Sequence, residues 1–237
     1  MQVVEIYLAL RKRILLFLRG RYFVVRRHRS MFLVDIYNFV DRSIEAFGLY
    51  ERAQVAHFSL QLEALKPEVF IDIGANSGMY SVVLGSRFPE MDVLCFEPDR
   101  RCKAQLAANL FLNDLQDRVE VHDIALSDVD GQTAFSRFSD ENRGRSAIQE
   151  GGDFVVRTAR LDGILSMAGK RIAVKIDVEG HEVNVINGAL KLLSENDCVL
   201  QVECFTALPE LEGILRAIGY KRKNSISGDH YFARSAT

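Results

Sequence analysis

The chain has 237 residues, of which 48% are hydrophobic and 26% charged, and its formal net charge at pH 7 is −2. This length suits one large α/β domain with an extension, and the composition excludes a globally disordered protein. The charge is unevenly distributed, because Ile6 to Val34 contains eight basic residues and no acid. The rest of the chain carries 22 bases and 32 acids, a net charge of −10. Such an acidic body would repel bulk nucleic acid.

Residues 1–66 are predicted to form a basic cap of helices and a hairpin. Hydrophobic periodicity predicts a helix over 3–18, strands over 22–25 and 31–34, and helices over 36–47 and 53–65. The cap is too small to bury a core alone, so we expect it to pack on the domain formed by residues 67–237. The basic segment 6–34 could bind anionic lipid or a phosphorylated acceptor, although a solvated helix and strand pair with outward arginines is the simpler interpretation.

Strands and helices alternate from Val69 onward, which predicts parallel strands with right-handed crossovers. The first run has strands over 69–73, 92–96 and 119–123, with helices over 79–88 and 99–113. Alternation resumes later with strands over 154–159, 172–176 and 197–204, helices over 161–168, 181–193 and 209–218, and a last strand pair over 220–222 and 230–233.

The pattern changes between these two runs. Asp130-Gly131 is a hairpin turn signal, which predicts that 125–127 pairs with 132–138. Residues 139–153 are polar and contain glycine, and a loop of this length is usually a functional lid or disordered. Because the loop precedes the fourth strand of the sheet, we favour a lid over the substrate.

The most informative motif follows the strand at 69–73. The apolar run Val69-Phe70-Ile71 leads directly into Asp72-Ile73-Gly74-Ala75-Asn76-Ser77-Gly78. A buried strand that ends in a glycine-spaced turn and opens into a helix predicts a nucleotide site, because glycines permit close approach and the helix start offers unpaired N–H groups. The dinucleotide fingerprint G-x-G-x-x-G is absent, since position 76 is Asn and Ser81 occupies the third glycine place.

An acidic residue ends the next strand. Glu97 comes nineteen residues after Gly78, about where an acid can accept hydrogen bonds from both ribose hydroxyls. The alternative is that Glu97 only caps the helix that begins near Asp99. We favour the ribose role because of the glycine turn upstream.

These motifs together resemble a known enzyme family. The segment 72–78 resembles motif I of S-adenosylmethionine (SAM) methyltransferases, and Val174–Glu182 is similar to the K-I-D-V-E-G-x-E signature of FkbM-family methyltransferases. Supporting pieces stand in the family order: F-E-P-D at 96–99, A-L-S-D at 125–128, R-L-D-G-I-L at 160–165 and V-E at 202–203. The sequence departs from the family at Arg160, where Thr is frequent, and at His181, where Ala is more usual.

The resemblance implies an α/β fold with the Rossmann-like sheet of class I methyltransferases, in strand order 3-2-1-4-5-7-6 with strand 7 antiparallel. It also implies an N-terminal helix and hairpin extension beside the cofactor cleft, and SAM as the cofactor. Adenine contacts are expected from Asp123 or the adjoining backbone, although an Asp at a strand end is often only a turn former. The expected cofactor-binding residues are Asp72, Gly74, Asn76, Gly78, Glu97, Asp123, Ala125 and Asp177.

Methyl transfer to an alcohol needs an aligned acceptor and a group that takes its proton. Asp177, His181 and Glu203 are the candidate catalytic residues: Asp177 ends the fourth strand, His181 begins the next helix, and Glu203 ends the fifth strand. Glu203 could instead pair with Lys175 across adjacent strands. Asp177 and Glu203 could hold a divalent cation, but two carboxylates are too few, so no metal is assigned.

The sequence therefore predicts a SAM-dependent O-methyltransferase that acts on a hydroxyl of a sugar, a glycolipid or oligosaccharide, or a polyketide-like small molecule. The alternatives are a catalytically silent SAM-binding or scaffold protein at a membrane surface and a nucleic-acid methyltransferase. The acidic body and the absence of an N/D-P-P-Y/F tetrapeptide count against nucleic acid. We expect a cytoplasmic enzyme, because no signal peptide and no membrane-span pattern is apparent, with peripheral contact to the inner membrane face as an option. The oligomeric state is not predicted.

Overall fold

A computed structural model describes residues 2–137, 139, 146–149 and 151–234. The helices are α1 (Gln2–Arg19), α2 (Phe39–Phe47), α3 (Arg52–Leu65), α4 (Met79–Arg87), α5 (Arg100–Leu112), α6 (Leu161–Ile164), α7 (Glu182–Asn187), α8 (Leu190–Glu195) and α9 (Leu208–Ala217). The strands are β1 (Tyr22–Arg27), β2 (Ser30–Asp35), β3 (Val69–Ile73), β4 (Asp92–Phe96), β5 (Val119–His122), β6 (Ala125–Leu126), β7 (Gly131–Ser136), β8 (Ala147–Ile148), β9 (Phe154–Ala159), β10 (Arg171–Ile176), β11 (Asp197–Glu203), β12 (Tyr220–Ile226) and β13 (Asp229–Arg234).

The central sheet has seven strands in the order β12-β13-β11-β10-β3-β4-β5. All neighbours are parallel except β13, which is antiparallel to both β11 and β12. Numbered along the chain within this sheet, the order is 3-2-1-4-5-7-6 with the seventh strand antiparallel, so the predicted topology is confirmed. Cores on both faces bury the sheet, which is why β3 and β10 read as nearly continuous apolar runs.

The site follows from the strand order at the centre of this sheet. The chain crosses from β3 to β4 on one side and later returns to β10 on the other, so a crevice opens beyond the carboxyl ends of these strands. The register pairs Ile73 with both Phe96 and Ile176. The residues that follow these three, Gly74, Glu97 and Asp177, therefore lie side by side at the same edge.

A second sheet, in the order β6-β9-β7-β8, is inserted between β5 and β10 along the chain. The predicted hairpin between 125–127 and 132–138 is wrong, because β9 lies between β6 and β7 and pairs with both. Asp130 does not close a two-strand turn. Its Oδ1 atom accepts a hydrogen bond from the Arg160 backbone N–H at 2.9 Å, which ties the loop to the end of β9.

Part of the predicted lid, 139–153, is ordinary sheet. Ala147 and Ile148 form β8 and pair antiparallel with β7. Residues 140–145 and 150 of this predicted lid lie outside the described residues, so the lid stays a prediction there.

The predicted helix over 181–193 is two helices, α7 and α8, which are separated at Gly188 and Ala189. A Cβ atom at Gly188 would lie 2.0 Å from the carbonyl oxygen of Ser127, so the chain approaches the β6 region too closely for a side chain. The predicted helix over 161–168 is also shorter, and only the single turn α6 forms.

The N-terminal cap packs against the main domain through helix α5. Side-chain amides of α5 satisfy the free edge of β2: Asn109 and Asn113 accept from the backbone N–H groups of Leu33 and Met31 at 2.7 and 2.8 Å. The Gln105 amide donates to the Leu33 carbonyl at 2.7 Å. Apolar side chains of the cap and of one sheet face share a single core. The proposed domain division at residue 66 stays a prediction.

All four cysteines, Cys95, Cys102, Cys198 and Cys204, are buried. Within the described residues, no helix combines the length and the apolar character needed to cross a membrane.

Candidate active site

Two cavities meet at the predicted cofactor motif. The first has a volume of about 60 Å³ and the second about 440 Å³, and Gly74, Asn76 and Asp177 line both. Sites for small molecules usually occupy about 300–1,000 Å³, so the second cavity lies in the usual range and the first is a narrow cleft beside it. Because both share the ends of β3 and β10, a ligand in one lies next to a ligand in the other.

The first cavity is mostly apolar with a few polar groups. Ile124, Ala125 and Leu126 form one wall, and Phe135 and Ile148 of the inserted sheet form another. Its polar side chains are Asn76, Glu97, Ser146, Asp177 and His181. This combination suits a flat heterocycle attached to a hydroxylated ring.

Glu97 is held rigidly at the edge of this cavity. Its Oε2 accepts from the Asn76 backbone N–H and its Oε1 from the Asp99 backbone N–H, each at 2.8 Å. Burial raises the pKa of Glu97 to about 7 although both hydrogen bonds favour the carboxylate. The helix-capping role belongs to Asp99, which is the N-cap of α5 and accepts from the Arg101 N–H at 2.7 Å. The side-chain cap of α5 is thus Asp99, Glu97 binds the backbone N–H of this cap residue, and its ribose contact stays a prediction.

Gly74 and Gly78 of the motif are glycines for different structural reasons. Gly74 has φ +77°, and a Cβ atom there would lie 1.8 Å from the Asp177 carbonyl oxygen. Gly78 has φ +80°, and its Cβ would lie 2.2 Å from Leu106 Cδ1, so it lets α4 pack on α5. Gly78 lines neither of these two cavities, and its predicted cofactor contact stays a prediction.

Asp72 is buried at the floor of the second cavity. Its Oδ2 accepts from the Ser81 hydroxyl at 2.5 Å, whereas its Oδ1 has no hydrogen-bond partner among the described residues. Burial raises the pKa of Asp72, and Lys175 partly opposes this shift. A buried oxygen without a partner is costly, which marks it as an acceptor for a ligand group.

A buried ion pair lies between the two cavities. The Lys175 ammonium is 4% exposed, donates to Asp177 Oδ2 at 2.9 Å and lies 4.7 Å from the ring centre of Tyr80. Desolvation opposes its charge, but Asp177, Glu51 and Asp72 outweigh that effect and raise the pKa of Lys175. Burial likewise opposes ionisation of Asp177, yet Lys175 holds its pKa below the usual range.

Further carboxylates surround this pair. Burial and the neighbouring Asp177 raise the pKa of Glu203, which shares a side-chain hydrogen bond with Asp177. Oxygens of Glu51, Glu203 and Asp229 lie within 4.8 Å of one another, as do those of Asp177, Glu179 and Glu203. These distances alone do not identify a metal site, because Lys175 already supplies a cation to the same cluster.

The structure places Asp177 between the other two predicted catalytic residues. Asp177 lines both cavities, Glu203 lines only the second of these and His181 only the first. The His181 Nε2 atom lies 2.9 Å from the Ser127 hydroxyl, and burial lowers the His181 pKa despite Asp128. A neutral imidazole in the first cavity can hydrogen-bond a ligand there.

Of the residues predicted to contact adenine, only some line the first cavity. Asp123 is exposed and pairs with Lys103, whereas Ala125 and its neighbours form the wall of the first cavity. Of the two options predicted from the sequence, the structure therefore favours the adjoining backbone and apolar side chains over the Asp123 carboxylate.

Several cavity residues were not identified from the sequence. Phe39, Val40, Tyr50 and Glu51 of the cap line the second cavity. These residues do not stand at the carboxyl end of a strand of the central sheet and belong to no sequence motif. They reach the site only because the cap packs on the sheet. Phe135 and Ile148 were missed in the first cavity because the inserted sheet was not predicted.

The residues present fit SAM. The first cavity offers apolar walls for adenine and the Glu97 carboxylate for ribose hydroxyls. The second offers an acidic environment for a sulfonium and an ammonium group, together with the unpartnered Asp72 Oδ1. Gly74 leaves its position free of a side chain where the two cavities join.

Comparisons with known proteins agree with this geometry. The model of the "Methyltransferase FkbM domain" family matches residues 72–222. The chain is 27% identical to methyltransferase sdnD of Sordaria araneosa over 215 residues, which are 75% of this chain and 83% of that protein. It is 28% identical to 2-O-methyltransferase NoeI of Sinorhizobium fredii over 174 residues, 65% of this chain and 70% of that protein.

A solved structure supports the fold. The ribosomal protein L11 methylase of Lactobacillus delbrueckii subsp. bulgaricus superposes with a TM-score of 0.50 at 14% identity, covering 80% of this chain and 81% of that chain. At this identity the likeness concerns the fold alone. The family match covers more than half of the chain and includes both signature segments. The protein therefore belongs to the FkbM methyltransferase family and is a SAM-dependent methyltransferase.

Proposed function

We propose that this enzyme methylates a hydroxyl group of a sugar, a glycolipid or oligosaccharide, or a polyketide-like small molecule, with a carbohydrate hydroxyl as the first choice. The observation that carries the proposal is the second cavity, which joins the cofactor pocket at Asp177. Its wall combines the carboxylates of Glu51, Glu179 and Glu203 with the rings of Phe39, Tyr50 and Phe205. Carboxylates accept hydrogen bonds from several hydroxyls, and rings offer flat apolar surfaces. The relative named 2-O-methyltransferase supports a hydroxyl acceptor.

The cofactor-binding roles are part of this proposal. Bound SAM supplies an electrophilic methyl group on a sulfonium. Glu97 accepts hydrogen bonds from the ribose hydroxyls, and the wall around Ala125 encloses the adenine. The acids Asp72 and Asp177 stabilise the positively charged methionine part. Asn76 fixes Glu97 through its backbone N–H, and its φ of +51° places that N–H toward the carboxylate.

We expect Glu97→Gln to weaken SAM binding about 10- to 100-fold, since hydrogen bonds to a charged acceptor contribute about 1.5–3 kcal/mol. The raised pKa adds a pH dependence: affinity falls as the pH drops below about 7, because the carboxylate becomes protonated. Calorimetric titration with SAM between pH 5.5 and 8.5 measures both effects. Glu120→Gln, at an exposed carboxylate that lines neither cavity, is the control. Equal affinity in Glu97→Gln would remove the ribose role.

Asp177 and Glu203 are proposed to position the acceptor. Asp177 is ionised by its contact with Lys175, whereas Glu203 keeps its proton and donates it to Asp177, so the remaining oxygens of the pair are acceptors for a substrate hydroxyl. Such a pair can bind a hydroxyl that must be held at a fixed angle. We place His181 at the cofactor, where it is neutral at pH 7.

The proposal is tested by transfer of a labelled methyl group from SAM. The acceptors are methyl glycosides of glucose, galactose, rhamnose and fucose, an extracted glycolipid fraction and a transfer-RNA pool, with product analysis by mass spectrometry. We expect one added methyl group on a carbohydrate hydroxyl, and none with Asp177→Asn. Label in the RNA would favour a nucleic-acid methyltransferase. SAM binding without transfer to any acceptor would favour the catalytically silent alternative.

We also propose that the enzyme works at the inner face of a membrane and contacts it through the outward face of α1. Ile6, Leu10, Ile14, Phe17 and Leu18 share this face and are between 57% and 89% exposed. Contiguous exposed apolar side chains on one helix mark a surface that something covers.

Two charged side chains of α1, Arg11 and Lys12, point toward the rest of the cap. Arg11 forms a bidentate pair with Glu45 at 2.6 and 2.7 Å, and the Lys12 ammonium lies 4.2 Å from the ring centre of Tyr37. Arg11 and Lys12 are therefore paired and only partly solvated, whereas Arg26 and Arg29 of the hairpin are exposed, as the simpler interpretation expects. A helix that directs charge inward and apolar side chains outward is suited to a lipid interface.

The positive charge of this segment favours an anionic membrane as the surface that covers the apolar face. Arg13 and Arg19 of α1 and Arg26 and Arg29 of the following hairpin are exposed, and the sequence between Ile6 and Val34 contains no acid. Each basic residue near an anionic membrane contributes about 1 kcal/mol. A second copy of the chain would bring two such basic rims together, which disfavours a symmetric dimer through this face.

We expect the protein to sediment with vesicles of equal phosphatidylglycerol and phosphatidylcholine, and weakly with phosphatidylcholine alone. Phe17→Ser should lower the partition coefficient about 10-fold, because burying an aromatic side chain contributes about 1.5–3 kcal/mol. Phe111→Ser, at a 69% exposed position on α5, is the matched control and should bind unchanged. No binding to either vesicle, or a dimer in solution that Phe17→Ser dissociates, would refute the membrane contact.

A further inference from the structure

We propose that Glu51, a residue of the N-terminal cap, is the group that takes the proton of the acceptor hydroxyl during methyl transfer. This inference rests on the proposed function, since it requires a hydroxyl acceptor. It assigns a catalytic residue outside the matched family segment 72–222 and makes the cap part of the active site.

Glu51 lies in the wall of the second cavity, together with Asp177, Glu203 and Phe205. One of its carboxylate oxygens lies within 4.8 Å of an oxygen of Glu203, and Glu203 in turn lies within 4.8 Å of Asp177. A chain of carboxylates thus leads from the cofactor crevice at Asp177 to the cap. An acceptor hydroxyl in this cavity has Glu51 within its reach.

One carboxylate oxygen of Glu51 is held by Tyr80, which lines the same cavity. Tyr80 donates its hydroxyl hydrogen to Glu51 Oε2 at 3.0 Å, and the Tyr80 oxygen accepts from the Gln201 amide at 2.8 Å. Burial raises the pKa of Tyr80 far above neutrality, so it remains a donor. One oxygen of Glu51 is therefore oriented, and the carboxylate keeps its second oxygen for a ligand.

The backbone of Glu51 is strained. It has φ +50° and ψ +42° at the start of α3, a left-handed conformation that costs a residue with a side chain about 1–3 kcal/mol. Its side chain forms no capping hydrogen bond to α3 among the described residues, so helix capping does not explain the strain. Strained non-glycine residues cluster at functional sites, and here the conformation directs a carboxylate into the cavity.

The surroundings of Glu51 make it the most suitable base of the cluster. Burial raises its pKa to about 7, although Lys175 lowers it. Asp177 is a weaker base because Lys175 holds its pKa below the usual range, and Glu203 already carries a proton. A general base works best when its pKa lies near the working pH. The titratable groups that face it from the surrounding elements are Tyr50, Tyr80, Lys175, Asp177, Glu203, Asp229 and Tyr231.

The proton transfer is balanced. The acceptor oxygen forms a bond to the methyl carbon while the sulfur–methyl bond breaks, and its electron pair returns to sulfur as the sulfonium charge disappears. The hydroxyl proton passes to the Glu51 carboxylate and then to solvent. The products are the methyl ether, S-adenosylhomocysteine and one proton.

Glu51→Gln is the first test, with the glycoside that the wild-type enzyme methylates as the acceptor. We expect kcat to fall about 10²- to 10⁴-fold, while the affinity for SAM measured by calorimetry changes little. Glu51→Asp should recover part of the activity, and Glu63→Gln, an exposed acid on α3, should behave as wild type. A kcat within threefold of wild type, or a change in KM alone, would overturn the proposal.

The pH profile separates Glu51 from Glu97, whose pKa is also near 7. At saturating SAM, the wild-type kcat should rise with pH up to about 7 and then level off, because the base must be ionised. Glu51→Gln should lose this rise. Titration of Glu97 affects SAM affinity, so it should not appear in kcat under these conditions. A rise that persists in Glu51→Gln would contradict the proposal.

A second measurement needs no acceptor. In protein labelled with carboxyl-¹³C glutamate, the resonance that Glu51→Gln removes belongs to Glu51. We expect it to titrate near pH 7, and a midpoint below about 5 would overturn the assignment of the base. Because this experiment is independent of turnover, it separates a failure of the Glu51 assignment from a failure to find any hydroxyl acceptor.

Discussion

Gly74→Ala should abolish measurable SAM binding and lower the unfolding free energy by about 2–5 kcal/mol. A left-handed backbone costs alanine about 1–2 kcal/mol, and overpacking adds about 1–3 kcal/mol. The clash is severe because the new Cβ would lie 1.8 Å from the Asp177 carbonyl oxygen. Neither side can move freely: Gly74 N–H donates to the Phe96 carbonyl and Asp177 N–H to the Ile73 carbonyl, both at 3.0 Å. Relief of the clash must therefore shift the ends of β3 and β10, where the cavities join.

Gly20→Ala is the matched control. Gly20 has the same φ of +77°, but no described atom lies within 4 Å of its hypothetical Cβ. It should show only the conformational penalty, and its SAM affinity should equal that of wild type. Urea denaturation and calorimetric titration compare the two variants. If Gly74→Ala lost no more stability than Gly20→Ala and still bound SAM, the close approach of β3 and β10 would not shape the cofactor site.

The part of the site that could be predicted lies at strand ends. Gly74, Glu97 and Asp177 each follow a strand that is recognisable from its apolar run, and parallel register brings such ends together without further information. The seven-stranded order was predictable because the motifs occur in the order of a known family. These features depend on local sequence and on a topology that many sequences share.

The missed features depend on contacts between distant segments. Glu51 reaches the second cavity only because the cap packs on α5 and the sheet, and no local pattern indicates a left-handed glutamate. The inserted sheet was missed because β6 and β8 are two residues long and β9 separates β6 from β7. The turn signal Asp130-Gly131 was also misleading because of a distant contact: the Asp130 side chain accepts a hydrogen bond from the backbone of Arg160.

Lys175→Met should lower the unfolding free energy at pH 7 by about 3–5 kcal/mol, the usual result of removing one partner of a buried ion pair. The residue lies between Asp177, Glu51 and Asp72, all of which depend on its charge. Without the ammonium, these buried acids must either stay ionised without a counter-ion or take up protons. Methionine retains most of the apolar contact with Tyr80, so the loss reports mainly on charge.

The pH dependence of this stability loss distinguishes a lost ion pair from lost packing. Since Lys175 lowers the pKa of Asp177, the stability from this pair is present above the unfolded Asp pKa of about 4 and disappears as the pH falls through the folded value. In Lys175→Met, burial would raise the pKa of Asp177 above its unfolded value, so the variant loses stability as the pH rises from about 4. The difference between wild type and Lys175→Met should therefore narrow from pH 7 toward pH 4, and narrow further below pH 4 as the wild-type pair is lost. Lys170→Met, at an exposed lysine paired with Glu68 at 2.8 Å, should leave the denaturation midpoint almost unchanged. A deficit in Lys175→Met that stayed constant with pH would point to lost packing instead, and the acid cluster would then not depend on Lys175 for charge balance.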